Sequence, residues 1–432
     1  MQNYKITNTI FLLLIIIYSI YLLNYPLILT KWVVADLLIN YEGGFVRRGL
    51  LGQINLFFEN TFKFPKLLFA VIITGFILFL NILLTFLRIY KNKNHFFLSL
   101  IIFLSPATFL FYIYDTNAFL RKDVFVIFTF ILHCFYIQFN YTTKYFIKNY
   151  KEKLFILITA LAIVTLVYEV QFIALPFHIM LSYSIIKNLR IIIFFYSIPL
   201  IIFFLSFIYK GNFLVAESIR NSLQHYPTDI IYQLYNPIHW LEGNLNLAIG
   251  GSLKLIFSYS YIQIIELIIA IFLSFIIFYN IFSIYLNKFI LENKNLKVIN
   301  LKFIKKNCYK FIFICVLCFF LIGFDTGRAI HILSMHIISL FLIFIPKENS
   351  KIIFNYNEND KVIILLIFFY ASLWILPSGY VGIDTIFKSG LFLIFKVFFS
   401  YLLEYCSKII LLPQFILDLT KEYLIFSKQS IF

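Results

Sequence analysis

Long apolar runs recur along the whole chain, at about 8–29, 67–87, 96–114, 124–139, 154–167, 172–186, 191–209, 260–286, 311–324, 330–345, 362–376 and 390–403. They lack the strict alternation of a barrel strand and are too long for one, which leaves helices as the spanning element. Roughly 20 apolar residues carry a helix across the hydrocarbon core of a bilayer. Apolar residues make up 62% of the chain and charged residues 13%, more apolar surface than one soluble core of this length can hide. The expected fold is an all-α integral membrane protein of about 11–12 transmembrane helices, residues 1–432 forming one polytopic domain. One larger outer (periplasmic) loop, 210–259, interrupts the runs and is expected to carry short helices.

The first run is expected to be kept rather than removed as a signal. No small-residue cleavage site follows Phe11 to Leu23, and the chain continues Asn24-Tyr25-Pro26-Leu27, so the run reads as a retained first span. Cys315 and Cys318 form a C-x-x-C inside an apolar run with no histidine or further cysteine beside them, so no metal or redox site is expected.

Lysine placement orients the helices. With the N-terminus in the cytoplasm, the inner loops carry 20 cations and five acids, while the outer loops carry 12 cations and 11 acids, the C-terminal tail excluded. The inside is then +15 and the outside +1. The formal charge of +16 is thus spread over short loops rather than gathered in a basic domain, which argues against a nucleic-acid partner. This count requires a break at Tyr168-Glu169-Val170-Gln171; one long helix over 154–186 would send a seven-lysine loop around 288–310 outside.

That rule never consulted the unusual polar residues, yet it puts them on one side. The first outer loop holds Asp36 and the stretch Glu42-Gly43-Gly44-Phe45-Val46-Arg47-Arg48-Gly49. Arg121, Lys122 and Asp123 precede the next outer helix start, Glu169 sits at the break, and Asp325-Thr326-Gly327-Arg328 and His331 open a later helix. Paired glycines let backbone turn sharply, and adjacent arginines offer planar donors for an oxyanion. Arg47, Arg48, Arg121, Lys122, Asp325, Arg328 and His331 are the expected substrate-binding residues. Lipid headgroups or nearby carboxylates would serve as alternative partners for the arginines, Asp325 could cap a helix and pair with Arg328, and His331 could be a hydrogen-bonded core histidine.

Glycosyl transfer to a hydroxyl needs a base for the acceptor proton and cations for the departing phosphate. Asp36, Glu42 and Glu169 are the candidate catalytic carboxylates, Asp36 first among them. Glu169, in apolar surroundings, should have its pKa raised unless an arginine pairs with it. No Walker loop, dinucleotide fingerprint or H-E-x-x-H occurs, and no cofactor is expected.

Asn40 to Gly52, together with Asp325-Thr326-Gly327-Arg328, looks like segments of multi-spanning proteins from bacterial surface-polysaccharide clusters. The layout as a whole resembles the O-antigen polymerases. The resemblance implies polymerisation of undecaprenyl-diphosphate-linked oligosaccharide at the periplasmic face of the bacterial inner membrane. It also implies arginines of the type of Arg47, Arg48 and Arg328 on the lipid diphosphate or sugar, surrounding membrane lipids, and a chain-length regulator protein as a partner. The best motif, however, lies in the first outer loop, as in multi-spanning lipid-sugar glycosyltransferases, whose essential acid there would correspond to Asp36 or Glu42. A single-sugar transferase and a non-enzymatic flippase therefore stand beside the polymerase. A transporter should show internal repeats and midplane polar groups; Glu266, within the eighth span, is the exception to a pattern of boundary charges.

Overall fold

The computed structural model describes residues 2–25, 29–90, 96–140, 146–232, 237–242 and 326–343, with scattered positions between 268 and 376. Among the described residues the chain is helical and contains no strand. Its helices are α1 (Gln2–Leu23), α2 (Lys31–Leu38), α3 (Gly49–Phe62), α4 (Leu68–Tyr90), α5 (Phe96–Leu104), α6 (Asp123–Asn140), α7 (Phe146–Val167), α8 (Gln171–Ile186), α9 (Leu189–Ile208), α10 (Phe213–Ser222) and α11 (Thr326–Ile343). Single turns follow at Phe111–Tyr114, Thr228–Ile231 and His239–Leu241. The expected runs at 260–286, 311–324, 362–376 and 390–403, the 243–259 part of the outer loop, and Asp325 lie outside the described residues, isolated positions apart.

Helix α6 is the centre of the packing, lying against α4, α7, α8 and α11. Helix α11 is buried on every side from Ala329 to Leu340. By contrast, α9 turns Ile193, Phe194, Ile201, Phe204 and Ile208 outward, and α4 and α7 do the same with Ile72, Phe76, Phe155 and Ile156. Two stretches, Leu68–Ile89 and Leu189–Ile208, are long and apolar enough to cross a bilayer by length and composition.

The breaks have local causes. Helices α7 and α8 separate at Tyr168–Val170, where the lysine count required it. The run at 96–114 is not one helix: it stops at Leu104, because Pro106 pushes Ser105 out of helical conformation. Ser105 Oγ then accepts from Ala107 N at 3.2 Å, and the backbone stays in turns to Lys122 except for one helical turn. Asn188 caps α9 (Ile191 N to Oδ1, 3.3 Å) and Asn212 caps α10 (Val215 N to Oδ1, 2.9 Å).

Helices α2, α3 and α10 fold within segments expected as outer loops. Glu59, buried near the end of α3, accepts from Asn55 Nδ2 (2.7 Å), Leu67 N (2.6 Å), Tyr226 Oη and His225 Nε2 (3.2 Å). One carboxylate thereby ties the long loop to α3 and to the start of α4.

Candidate functional site

Glycine makes the turn that presents Arg47 and Arg48. Gly44 has φ +106°, a conformation L side chains rarely adopt, and a Cβ on Gly43 would stand 2.8 Å from the Val215 backbone of α10. The chain then enters α3 through Arg48, itself left-handed at φ 63°. A non-glycine residue holds that backbone only where its surroundings over-determine it.

Its surroundings do so. Arg48 donates through Nε to both Glu169 oxygens (2.8 and 2.9 Å), while Nη2 lies 2.6 Å from Glu169 Oε1 and Nη1 lies 3.2 Å from Asp36 Oδ1. Lys122, fully buried, donates to the carbonyls of Asp36 (2.6 Å) and Arg48 (3.0 Å), with Asp36 Oδ2 at 3.9 Å. Arg47 stands 3.8 Å from Glu169 and donates to the Trp240 carbonyl of the long loop (3.3 Å). Arg328 grips Asp123 through Nε (2.7 Å) and Nη2 (2.6 Å) and also donates to the Tyr168 hydroxyl. The Tyr168 ring carries both arginines, its centroid 5.0 Å from the Arg48 guanidinium carbon and 5.6 Å from that of Arg328.

Five separate segments therefore meet in one charge cluster. Counting Arg121, whose charge acts on both Asp36 and Asp123, five cations face the three carboxylates Asp36, Asp123 and Glu169. Among the described residues the cluster is thus richer in cations than in carboxylates. The side chains of Arg47 and Arg48 keep 23% and 22% of their surface exposed, against 7% for Glu169 and none for Lys122. The arginines are the accessible part, and the buried lysine organises backbone.

Burial alone would push the Asp36 carboxyl upward, but the charges of Lys122, Arg48, Arg328 and Arg121 outweigh it and hold the group below its ordinary value. Glu169 behaves alike: burial raises it, and Arg48 and Arg47 pull it down further. The rise expected for an unpaired Glu169 does not occur, because an arginine pairs with it. Burial is the main influence on Lys122, lowering it to about 8 against the upward pull of Asp36.

Of the remaining expected residues, Glu42 lies apart. It is exposed and accepts from Gln53 Nε2 at 3.1 Å, while its amide bonds Asn40 Oδ1. His331 is fully buried beneath the cluster, with Nδ1 3.0 Å from the Ala107 carbonyl and its ring 4.4 Å from that of Phe111. Arg121 is buried beside the cluster. Sequence reasoning gave Tyr168 no role and weighed Asp123 only as a local ion-pair partner for the Arg121–Lys122 cluster; two arginines share the first, and the second is a partner of Arg328. Among the described residues no group of three histidine, cysteine or carboxylate side chains is placed to hold a metal ion.

Compared with protein-family models, with curated proteins and with solved structures, the chain finds no match.

Proposed function

We propose that the chain is a multi-pass membrane protein that transfers glycosyl units from a lipid diphosphate at the outer face of a bacterial inner membrane. The reaction is polymerisation of undecaprenyl-diphosphate-linked oligosaccharide into O-antigen or capsular polysaccharide. One observation carries this reading: Arg47 and Arg48, adjacent and both partly exposed, stand at the accessible side of a buried cluster of charges built from segments that the lysine distribution assigns to one side. The apolar side chains that α4, α7 and α9 turn outward support the membrane placement, since lipid-facing helix surfaces carry such side chains.

The chemistry follows from the pairing. Asp36 and Glu169 are already ionised and held by Arg48, so each is a weak base in this state. A diphosphate competes for the same guanidiniums with planar, bidentate geometry. As Arg48 and Arg47 turn to the phosphates, the charge that depressed Asp36 and Glu169 is diverted, and their basicity rises. Asp36 then takes the proton of the acceptor hydroxyl as its oxygen bonds to the anomeric carbon. The bond from that carbon to the phosphate oxygen breaks, and the lipid diphosphate leaves with its new charge on the arginines.

The position of Asp36 in the first outer loop keeps the single-sugar transferase as a second reading. Deletion of the gene followed by a gel of surface lipopolysaccharide separates them. A ladder that collapses to one repeat unit supports the polymerase, whereas a truncated or missing unit supports the single-sugar transferase or a flippase. An unchanged ladder removes all three.

A further inference from the structure

A second polar system lies in the bundle interior, away from the charge cluster. His133 on α6 and His178 on α8 face each other through their Nδ1 atoms at 3.1 Å. His133 Nε2 is 2.7 Å from the Tyr150 hydroxyl of α7, which is 2.7 Å from Ser182 Oγ of α8, which is 2.8 Å from the Tyr196 hydroxyl of α9. All five side chains are buried. Ionisable and hydroxyl groups linked across four helices are costly in an apolar interior, and such groups mark ion and proton paths.

The hydrogen-bond arithmetic is restrictive. Each hydroxyl has one proton to give, and each neutral imidazole has one N–H and one lone pair. In one arrangement Tyr196 donates to Ser182, Ser182 to Tyr150, Tyr150 to His133 Nε2, and His133 Nδ1–H to His178 Nδ1. The His178 Nε2–H is then left pointing onward. The other arrangement reverses every bond. With every group neutral and no hydroxyl accepting from both of its neighbours in the chain, these two arrangements are the ones that make every link. A chain that can be polarised in either direction is what proton hopping requires.

The two ends differ. Tyr150 and Tyr196 lie in the first halves of α7 and α9, whose basic starts leave Lys148, Lys151 and Lys153 of α7 and Arg190 of α9 exposed. At the other end, His178 Nε2 has no protein partner among the described residues, and neither do His336 Nε2, His331 Nε2, Ser334 Oγ and Gln171 Nε2. These atoms belong to α8 and α11, and α11 carries Arg328 at its start. His178 and His336 both pack on the Phe130 ring, at 5.0 and 4.5 Å. Buried polar atoms without protein partners are ordinarily satisfied by internal water.

We infer that His178, His133, Tyr150, Ser182 and Tyr196 form a proton relay joining the charge cluster to the lysine-bearing side of the bundle. A proton arriving at His178 Nε2 releases the Nδ1 proton to His133 Nδ1. His133 Nε2–H then passes to Tyr150, whose own proton moves through Ser182 to Tyr196, and the Tyr196 proton leaves. Every group ends neutral with its bond reversed. Among the described residues, Cys134 and Tyr136 on α6 and His336 on α11 are further titratable groups beside this path.

The inference rests on the membrane placement proposed above, so the test separates the two. The full-length protein is reconstituted in phospholipid vesicles and floated on a density gradient; failure to float overturns the membrane placement. For vesicles that float, an imposed pH gradient is followed with an internal pH dye, with valinomycin balancing charge. Wild type should dissipate the gradient faster than protein-free vesicles, and Tyr150→Phe, which keeps the ring and removes the hydroxyl, should return to the protein-free rate. Floating wild type that conducts no faster than empty vesicles overturns the relay, as does Tyr150→Phe at the wild-type rate. If Tyr150→Phe does not fold, Ser182→Ala decides by the same two outcomes.

Discussion

Arg328 and Asp123, 205 residues apart in the chain, meet through two hydrogen bonds of 2.7 and 2.6 Å. Asp123 is the first residue of α6 and Arg328 lies in the first turn of α11, so this pair fixes the two central helices at the same end. A third bond, from Arg328 to the Tyr168 hydroxyl, brings in the α7–α8 break. The grip that aligns the helices thus also positions the ring on which Arg48 rests.

Arg48→Ala should be among the most damaging single changes. It strands Glu169, buried, without its bidentate partner, and breaking a buried pair from one side costs about 3–5 kcal/mol. Arg48→Lys keeps the charge but loses the planar fork, so it should fold better than the alanine variant and still abolish polymer. Thermal unfolding in detergent and the lipopolysaccharide ladder, measured together, check both.

Asp36→Asn and Glu42→Ala should part company. Asp36 is buried between Lys122 and Arg48, and Glu42 is exposed on Gln53. Loss of the ladder is expected for Asp36→Asn only. A Glu42→Ala strain without the ladder would return Glu42 to the site.

Acid should remove a specific share of stability. The folded-state values of Asp36 and Glu169 lie below their ordinary ones, so their contribution is complete above the unfolded carboxylate range, about pH 4, and is lost as pH falls through the lowered values. Melting temperatures of wild type and Glu169→Gln should differ most near neutral pH and converge as pH falls through the lowered Glu169 value. A difference that is constant with pH would refute the assignment.

Lys122 gives the opposite end of the scale. Its folded value is about 8, below the ordinary lysine value of 10.5. The unfolded chain therefore binds the extra proton between those two values, and this group alone makes stability rise with pH across that window. In Lys122→Met the rise should vanish, which melting curves at alkaline pH would show.

Tyr168→Phe keeps the ring under both arginines and loses only the hydroxyl, an expected cost of about 0.5–1.5 kcal/mol. Tyr168→Leu also removes the face that two cations share, adding roughly 0.5–2 kcal/mol. Equal effects of the two changes, read by thermal unfolding, would show that the ring contributes nothing.

Much of this site was legible as a set of segments and little of it as a set of pairs. Lysine counting grouped Asp36, Arg47, Arg48, Lys122, Glu169 and Arg328 because loop charge follows membrane orientation, a property local to each loop. It was silent on which carboxylate each arginine takes. Local spacing suggested Asp325, which lies outside the described residues, for Arg328; the described partner Asp123 could not be read that way, because only the packing of α6 on α11 brings it near. The same limit hid the role of Lys122, whose ammonium binds two carbonyls that no side-chain pattern reveals. The break at Tyr168 was readable because topology demanded it. The break at Ser105 was not, since the apolar run continues through Pro106 without a change in hydropathy.

That second break bears on how the protein is made. From Ser105 to Lys122 the backbone has only one helical turn, yet nearly all of it is buried. Backbone without helical hydrogen bonds is tolerated at membrane depth only where protein shields it. When these residues leave the ribosome, α6 and α11 do not yet exist. His331, which bonds the Ala107 carbonyl, is synthesised 224 residues later. Under the membrane placement proposed above, the shield over this stretch is completed only when the last described helix is made.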